Sequence, residues 1–162
     1  AVLATPATFR GQLIKDVIQR FAEPSQVEVL NVTCLDLVPY VEDGLYNSPE
    51  CKDSLRRVLD PIVEKNADHL VLGCTHYPFL KSAIQSLYEN QLTLVDSGSA
   101  VARQTARILL KNELILKNAP VDKTRLRCFV SGHNAKELEM VLKHLIQPEI
   151  TWSIENIVDK LV

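Results

Sequence analysis

Short apolar runs alternate with helix-length amphipathic stretches along the whole chain, and this alternation constrains the fold more than any single residue does. AVLA at 1–4, QVEVLN at 26–31, HLVL at 69–72, LTLV at 92–95, LRCFV at 126–130 and ITWSI at 150–154 read as strands. Phe9, Leu13, Val17 and Phe21 recur every four residues, with Ile14 and Ile18 beside them, which predicts a helix over 7–22 stopped at Pro24. Further helices are predicted over 35–43 and 51–65, from Pro78 to about residue 88, and over 98–117. Leu138, Val141, Leu142 and Leu145 form one face of another, and the polar stretch 118–124, with Pro120, is the candidate linker. Strands alternating with helices imply an α/β fold with a mainly parallel sheet flanked by helices.

Composition narrows the function classes. The 162 residues carry 18 Lys and Arg against 20 Asp and Glu, a formal charge of −2. That length suits one domain or two small ones. With near-balanced charge and no basic stripe, neither nucleic acid nor an anionic membrane is expected as a partner. No apolar run approaches the ~20 residues that span a bilayer, and the opening residues do not read as a signal peptide. The five glycines, at 11, 44, 73, 98 and 132, are too scattered to write a glycine-rich phosphate loop. Of the four cysteines, Cys34, Cys51, Cys74 and Cys128, no two are spaced C-x-x-C, so free thiols and a cytoplasmic, reducing compartment are expected. The chain starts with Ala1 inside a strand-like run, which reads as part of a longer protein.

The densest chemistry lies in LVLGCTHYPFL at 70–80. A buried strand runs into Gly73, then Cys74, Thr75 and His76, then a helix opened by Pro78, a residue suited to a first turn. Ligands of open α/β sheets bind beyond the carboxyl ends of strands, and a following helix N-terminus favours an anion there. Cys74 is therefore placed to act as a thiolate, Thr75 to donate a hydrogen bond and His76 to relay a proton. The alternative is an inert, packed cysteine, the usual state of a free thiol. A protease-type Cys–His pair is not expected, because neighbours two apart seldom meet as nucleophile and base. Nor is a metal site, since Cys74 and His76 supply only two ligands. Thr5 and Thr8, after the first strand, are either helix caps or carboxylate-binding hydroxyls. Glu42, Lys65 and Lys81 read as surface charges, and Asp96 and Ser97 as helix caps.

LVLGCTHYPFL resembles the second-cysteine motif of the cofactor-independent aspartate/glutamate racemase family, and of its glutamate racemases in particular. LATPATFR at 3–10 resembles the segment of substrate-contacting threonines, LVPYVEDG at 37–44 the segment with an acidic active-site residue, and LVDSGSAVARQTARILL at 94–110 the stretch after the motif. The resemblance implies two α/β domains facing each other across the site. Residues 1–94 would be the second domain, with the second catalytic cysteine, and 95–162 the returning C-terminal part of the first. It implies that Cys74 is one of two cysteines on opposite faces of the substrate α-carbon, one removing the α-proton and the other returning one. Thr75 and His76 would contact substrate, His76 would assist Cys74, Glu42 would partner His76, and Thr5 and Thr8 would hold a carboxylate. No pyridoxal or metal would be used. The product would be D-glutamate for peptidoglycan, and a homodimer would be compatible with the family. The family's first cysteine sits in a Cys-Asn-Thr motif that does not occur here, which implies that the N-terminal half of the enzyme is missing and that this chain alone does not racemise glutamate. A one-cysteine relative acting on aspartate, a hydantoin or a malonate, and a non-catalytic α/β module, are the alternatives.

Overall fold

The computed structural model describes residues 1–115, 125–130 and 151–156. The chain divides into two compact units, Ala1–Thr105 and Ala106–Val162. The expected linker at 118–124 and the helix carrying Leu138, Val141, Leu142 and Leu145 lie outside the described residues.

The first unit is built on a four-stranded sheet of β1 (Val2–Leu3), β2 (Asn31–Val32), β3 (His69–Leu72) and β4 (Thr93–Val95), in the order β2-β1-β3-β4. All its pairings are parallel, with Leu3 opposite Val32 on one side and Leu72 on the other, and Leu70 opposite Leu94. This is the parallel α/β sheet expected from the alternation of elements. Successive side chains of β3 point to opposite faces. Leu70 and Leu72 enter a core shared with Leu55, Leu59, Leu80 and Ile84, while Val71 faces outward.

Helix α4 (Pro49–Val63) is the main support of that core. Cys51, Ser54, Leu55, Leu59 and Ile62 are its buried residues, an i, i+3, i+4 pattern that gathers them on one face. Its start is specified locally: Pro49 needs no N–H in the first turn, and the Cys51 N–H donates to Ser48 Oγ at 3.2 Å. Ser48→Ala is expected to cost about 1 kcal/mol of stability, because one first-turn donor loses its cap. A urea midpoint equal to wild type would show that water replaces the hydroxyl at no cost.

Several element boundaries differ from the sequence-based expectation. The helix predicted over 7–22 is broken into α1 (Pro6–Arg10) and α2 (Gln12–Val17), followed by a π turn over Ile18–Ala22 and a 3-10 turn over Glu23–Ser25. Gly11 leaves helical geometry between them, with ψ of 150°, so the apolar period does not by itself hold one axis. The strand predicted over 26–31 is displaced to Asn31–Val32. Gln26 is left-handed, with φ of 54°, and β1 offers partners from Val2 onward, whose N–H donates to the Leu30 carbonyl at 2.8 Å.

Helix α3 covers Leu37–Glu42. It closes at Gly44, whose φ of 71° lets Leu45 N–H reach back to the Tyr40 carbonyl at 2.7 Å. Helix α5 is Lys81–Tyr88, preceded by a 3-10 turn over Tyr77–Leu80. Helix α6 covers Gly98–Lys111 and so ends before the expected residue 117. Glu113 is left-handed there, and Leu114 N–H bonds the Leu109 carbonyl at 2.9 Å. In the second unit β5 (Arg125–Val130) pairs in parallel with β6 (Thr151–Asn156), Cys128 lying opposite Ile154. No described helix is long and apolar enough to cross a membrane.

Candidate active site

The sheet order creates a crevice at one place. From β1 the chain crosses to β2 on one side, then returns past β1 to β3 on the other, so connections leave β1 and β3 in opposite directions. This is the switch point at which ligands of parallel sheets bind. The residues immediately beyond those two strand ends are Ala4 to Thr8 and Gly73 to His76. Both peptides lie close together, for Gly73 N–H donates to the Leu3 carbonyl at 2.8 Å. A side chain at 73 would bring a Cβ to 3.1 Å from the Ala4 Cβ and 3.3 Å from the Leu3 oxygen. A Cβ there would press on both strand exits by a few tenths of an ångström, which glycine avoids.

Beyond Gly73 the chain bends sharply. Cys74, partly buried, places Sγ 3.8 Å from His76 Nδ1, and Thr75 Oγ1 lies 3.5 Å from the same nitrogen. This corrects the expectation that residues two apart would not meet, because the bend folds the imidazole back over the cysteine. On its far side the ring meets Glu42, the last residue of α3, with Nε2 to Oε1 at 3.3 Å. A carboxylate oxygen only accepts hydrogen bonds, so the Glu42 contact favours the tautomer with the proton on Nε2 and Nδ1 as the acceptor facing the sulfur. Glu42 thus is not the unpaired surface glutamate that its residue type alone suggests. The arrangement can take a proton from the thiol and hold the resulting imidazolium.

Thr5 and Thr8 form a pair of their own on the neighbouring strand exit, their hydroxyls 3.2 Å apart. Thr5 sits at the N-cap position just before α1 but makes no side-chain cap bond. Its hydroxyl is therefore not committed to a first-turn N–H, as a helix cap would be.

The helix expected to open at Pro78 does so only after the 3-10 turn, so the regular α-helical end lies at Lys81 and the groups touching Cys74 and Thr75 are those of His76. Lys81 is not a free surface charge. It pairs with Asp96, whose Oδ1 also accepts from the Gly98 N–H at 2.6 Å. The Lys81 ammonium, followed by that N–H, holds the Asp96 carboxyl below the usual range. No local sequence signal marks this pair, since it joins α5 to the turn after β4. Among the described residues no group of three or more His, Cys, Asp or Glu side chains is gathered as a metal site.

The chain matches known proteins over the same region. The model of the Asp/Glu/hydantoin racemase family covers residues 1–105. The glutamate racemase of Deinococcus radiodurans is 51% identical over 114 residues, which are 70% of this chain and 39% of that protein. The structure of Escherichia coli glutamate racemase in complex with L-glutamate and the activator UDP-MurNAc-ala superposes with a TM-score of 0.68 at 28% identity, over 93% of this chain and 56% of that one. The Francisella tularensis glutamate racemase, solved with D-glutamate, shares the fold with a TM-score of 0.75 at 24% identity, over 96% of this chain and 56% of that one. The chain spans about half, or less, of the length of these relatives.

Proposed function

The chain belongs to the Asp/Glu/hydantoin racemase family, and on that premise we propose that it supplies one side of a cofactor-independent glutamate racemisation site. The observation that carries this reading is the Cys74–His76–Glu42 relay at the switch point, beside the Thr5–Thr8 pair. Cys74 exchanges a proton with one face of the substrate α-carbon. His76, held by Glu42, takes and returns the thiol proton, while Thr75, Thr5 and Thr8 bind the substrate's polar groups. An α-proton beside a carboxylate is weakly acidic, so the developing carbanion needs fixed hydrogen-bond donors and a dry site. A thiol suits the task because its pKa is tunable near the working pH.

The thiol for the opposite face is assigned to the N-terminal half of the enzyme, the segment bearing Cys-Asn-Thr in the family. Residues 1–94 are then the second domain of the enzyme and 95–162 the returning part of the first. The protein so composed works in the cytoplasm, as an isomerase making D-glutamate for peptidoglycan.

Thiol labelling tests this reading. Cys128 is partly buried, as Cys74 is, whereas Cys34 and Cys51 are buried. Near neutral pH, iodoacetamide is expected to modify Cys74 about tenfold faster than Cys128, because an imidazole nitrogen faces its sulfur. Glutamate is expected to slow the Cys74 reaction alone. Equal, slow labelling of all four cysteines would instead identify an inert α/β module.

A further inference from the structure

The Glu42–His76 contact is too exposed to maintain itself. Its side chains are 33% and 56% accessible on the histidine and glutamate sides respectively. Pairs of that kind contribute about 0–1 kcal/mol and do not hold two backbone segments at a fixed distance. Something buried has to set the separation of α3 from the Cys74–His76 bend. Tyr77, the residue after His76, is fully buried and is the largest such side chain in the described core. Its hydroxyl donates to the Cys34 carbonyl at 2.8 Å, in the connection between β2 and α3. Its own N–H donates to the Cys74 carbonyl at 3.2 Å. One residue therefore ties the bend to the segment that leads into the helix ending at Glu42.

We propose that Tyr77 is a positioning residue, whose buried hydrogen bond to Cys34 sets α3 so that Glu42 reaches His76. The claim rests on the proposed role of the relay and adds the element that fixes its geometry. A buried carbonyl deprived of its donor costs more than an exposed ion pair returns, so the Tyr77 anchor outweighs the contact it positions. Burial, with the nearby Cys74 and Cys34 thiols adding to it, pushes the Tyr77 phenol up to about 12, so it stays a donor across the neutral range.

The test reads the tautomer of His76 from its imidazole nitrogen shifts in labelled protein, in a mildly alkaline buffer where those shifts no longer change with pH. Glu42→Ala removes the acceptor and is expected to lower the share of the Nε2–H form. Tyr77→Phe keeps the buried ring and is expected to shift the ratio the same way, by about twofold or more, as one lost hydrogen bond allows. Tyr88→Phe is the control: its hydroxyl bonds Asp60 at 2.6 Å, between α5 and α4, and its loss should leave His76 as in wild type. A wild-type ratio in Tyr77→Phe, or an equal shift in Tyr88→Phe, would overturn the proposal. A ratio indifferent to Glu42→Ala would show that the pair does not form in solution, and positioning would fall with it. The expected ratios together with slow Cys74 labelling would remove the catalytic reading and leave the positioning intact.

Discussion

Cys74→Ala is expected to abolish racemisation in both directions, lowering the rate at least about 10³-fold. The appropriate protein is a chimera in which residues 1–105 replace the matching segment of the Deinococcus radiodurans glutamate racemase. Each direction of a two-thiol reaction uses both groups, one to remove the α-proton and one to deliver a proton to the opposite face. In such a reaction losing either would stop both directions, and neither described neighbour of Cys74 is a ready substitute. His76 has Nδ1 turned to the sulfur and Nε2 to Glu42, so its ring is occupied behind the thiol. The Thr75 hydroxyl, near the same nitrogen, is far too weak an acid at neutral pH to replace a thiol. Glu42→Ala is expected to cost less, about tenfold, because it alters orientation and not the acid/base itself. Circular dichroism of the glutamate pool measures the rate from either enantiomer. A Cys74→Ala chimera retaining a tenth of the parent rate would place the second acid/base elsewhere.

The parts of this site that were legible in the sequence are those encoded locally. Gly73, Cys74, Thr75 and His76 follow one strand without a gap, so a strand pattern and one glycine suffice to place them. The Thr5 and Thr8 segment was legible for the same reason. Contacts between distant segments were not. Glu42 and His76 meet because α3 and the bend share a core, and residue type alone makes Glu42 a surface charge; only the family resemblance pointed to the pair. Lys81 and Asp96 illustrate the same limit without a resemblance to help. Tyr77 stood inside the densest motif, yet the sequence offers no sign that its hydroxyl ends on the Cys34 carbonyl.

Element boundaries failed where a local pattern competed with a pairing partner. The alternating QVEVLN has strand character, but a strand exists only where another backbone can bond it, and β1 meets this segment from Leu30 onward. The four-residue period of Phe9, Leu13, Val17 and Phe21 survives as helical turns, while Gly11 breaks their axis. Leu13 and Phe21 remain exposed there, so burial does not enforce a straight helix. In α6 the apolar pattern continues through Leu114 and Ile115, and the left-handed Glu113 ends the helix first.

The same buried groups predict a loss of stability at high pH. Burial first, then the nearby Cys34 thiol, raises the Cys51 thiol from its ordinary 9.0 to about 11. Burial likewise raises the Tyr77 phenol from 10.0 to about 12, and burial with the Asp60 hydrogen bond raises Tyr88. Each of these groups is neutral when protonated, and the folded chain holds its proton to higher pH than the unfolded chain does. Their contribution is therefore complete below pH 9 and is withdrawn as pH rises, from 9 to about 11 for Cys51 and from 10 to about 12 for Tyr77. Both side chains lie in the core, and both shifts act on stability in the same direction. At about 1.4 kcal/mol per pH unit for a fully expressed shift, the two together withdraw on the order of a few kcal/mol, a sizeable part of the stability of a small domain. The urea midpoint is expected to hold from pH 7 to 9, to fall between 9 and 10, and to fall more steeply above 10. Cys51→Ala leaves only a small cavity and removes the first group, so its midpoint should stay level to about pH 10 before Tyr77 begins to titrate. A wild-type midpoint unchanged at pH 11, or a Cys51→Ala curve parallel to wild type between 9 and 10, would show that the thiol reaches water in the folded chain and that the core around α4 is looser than its packing implies.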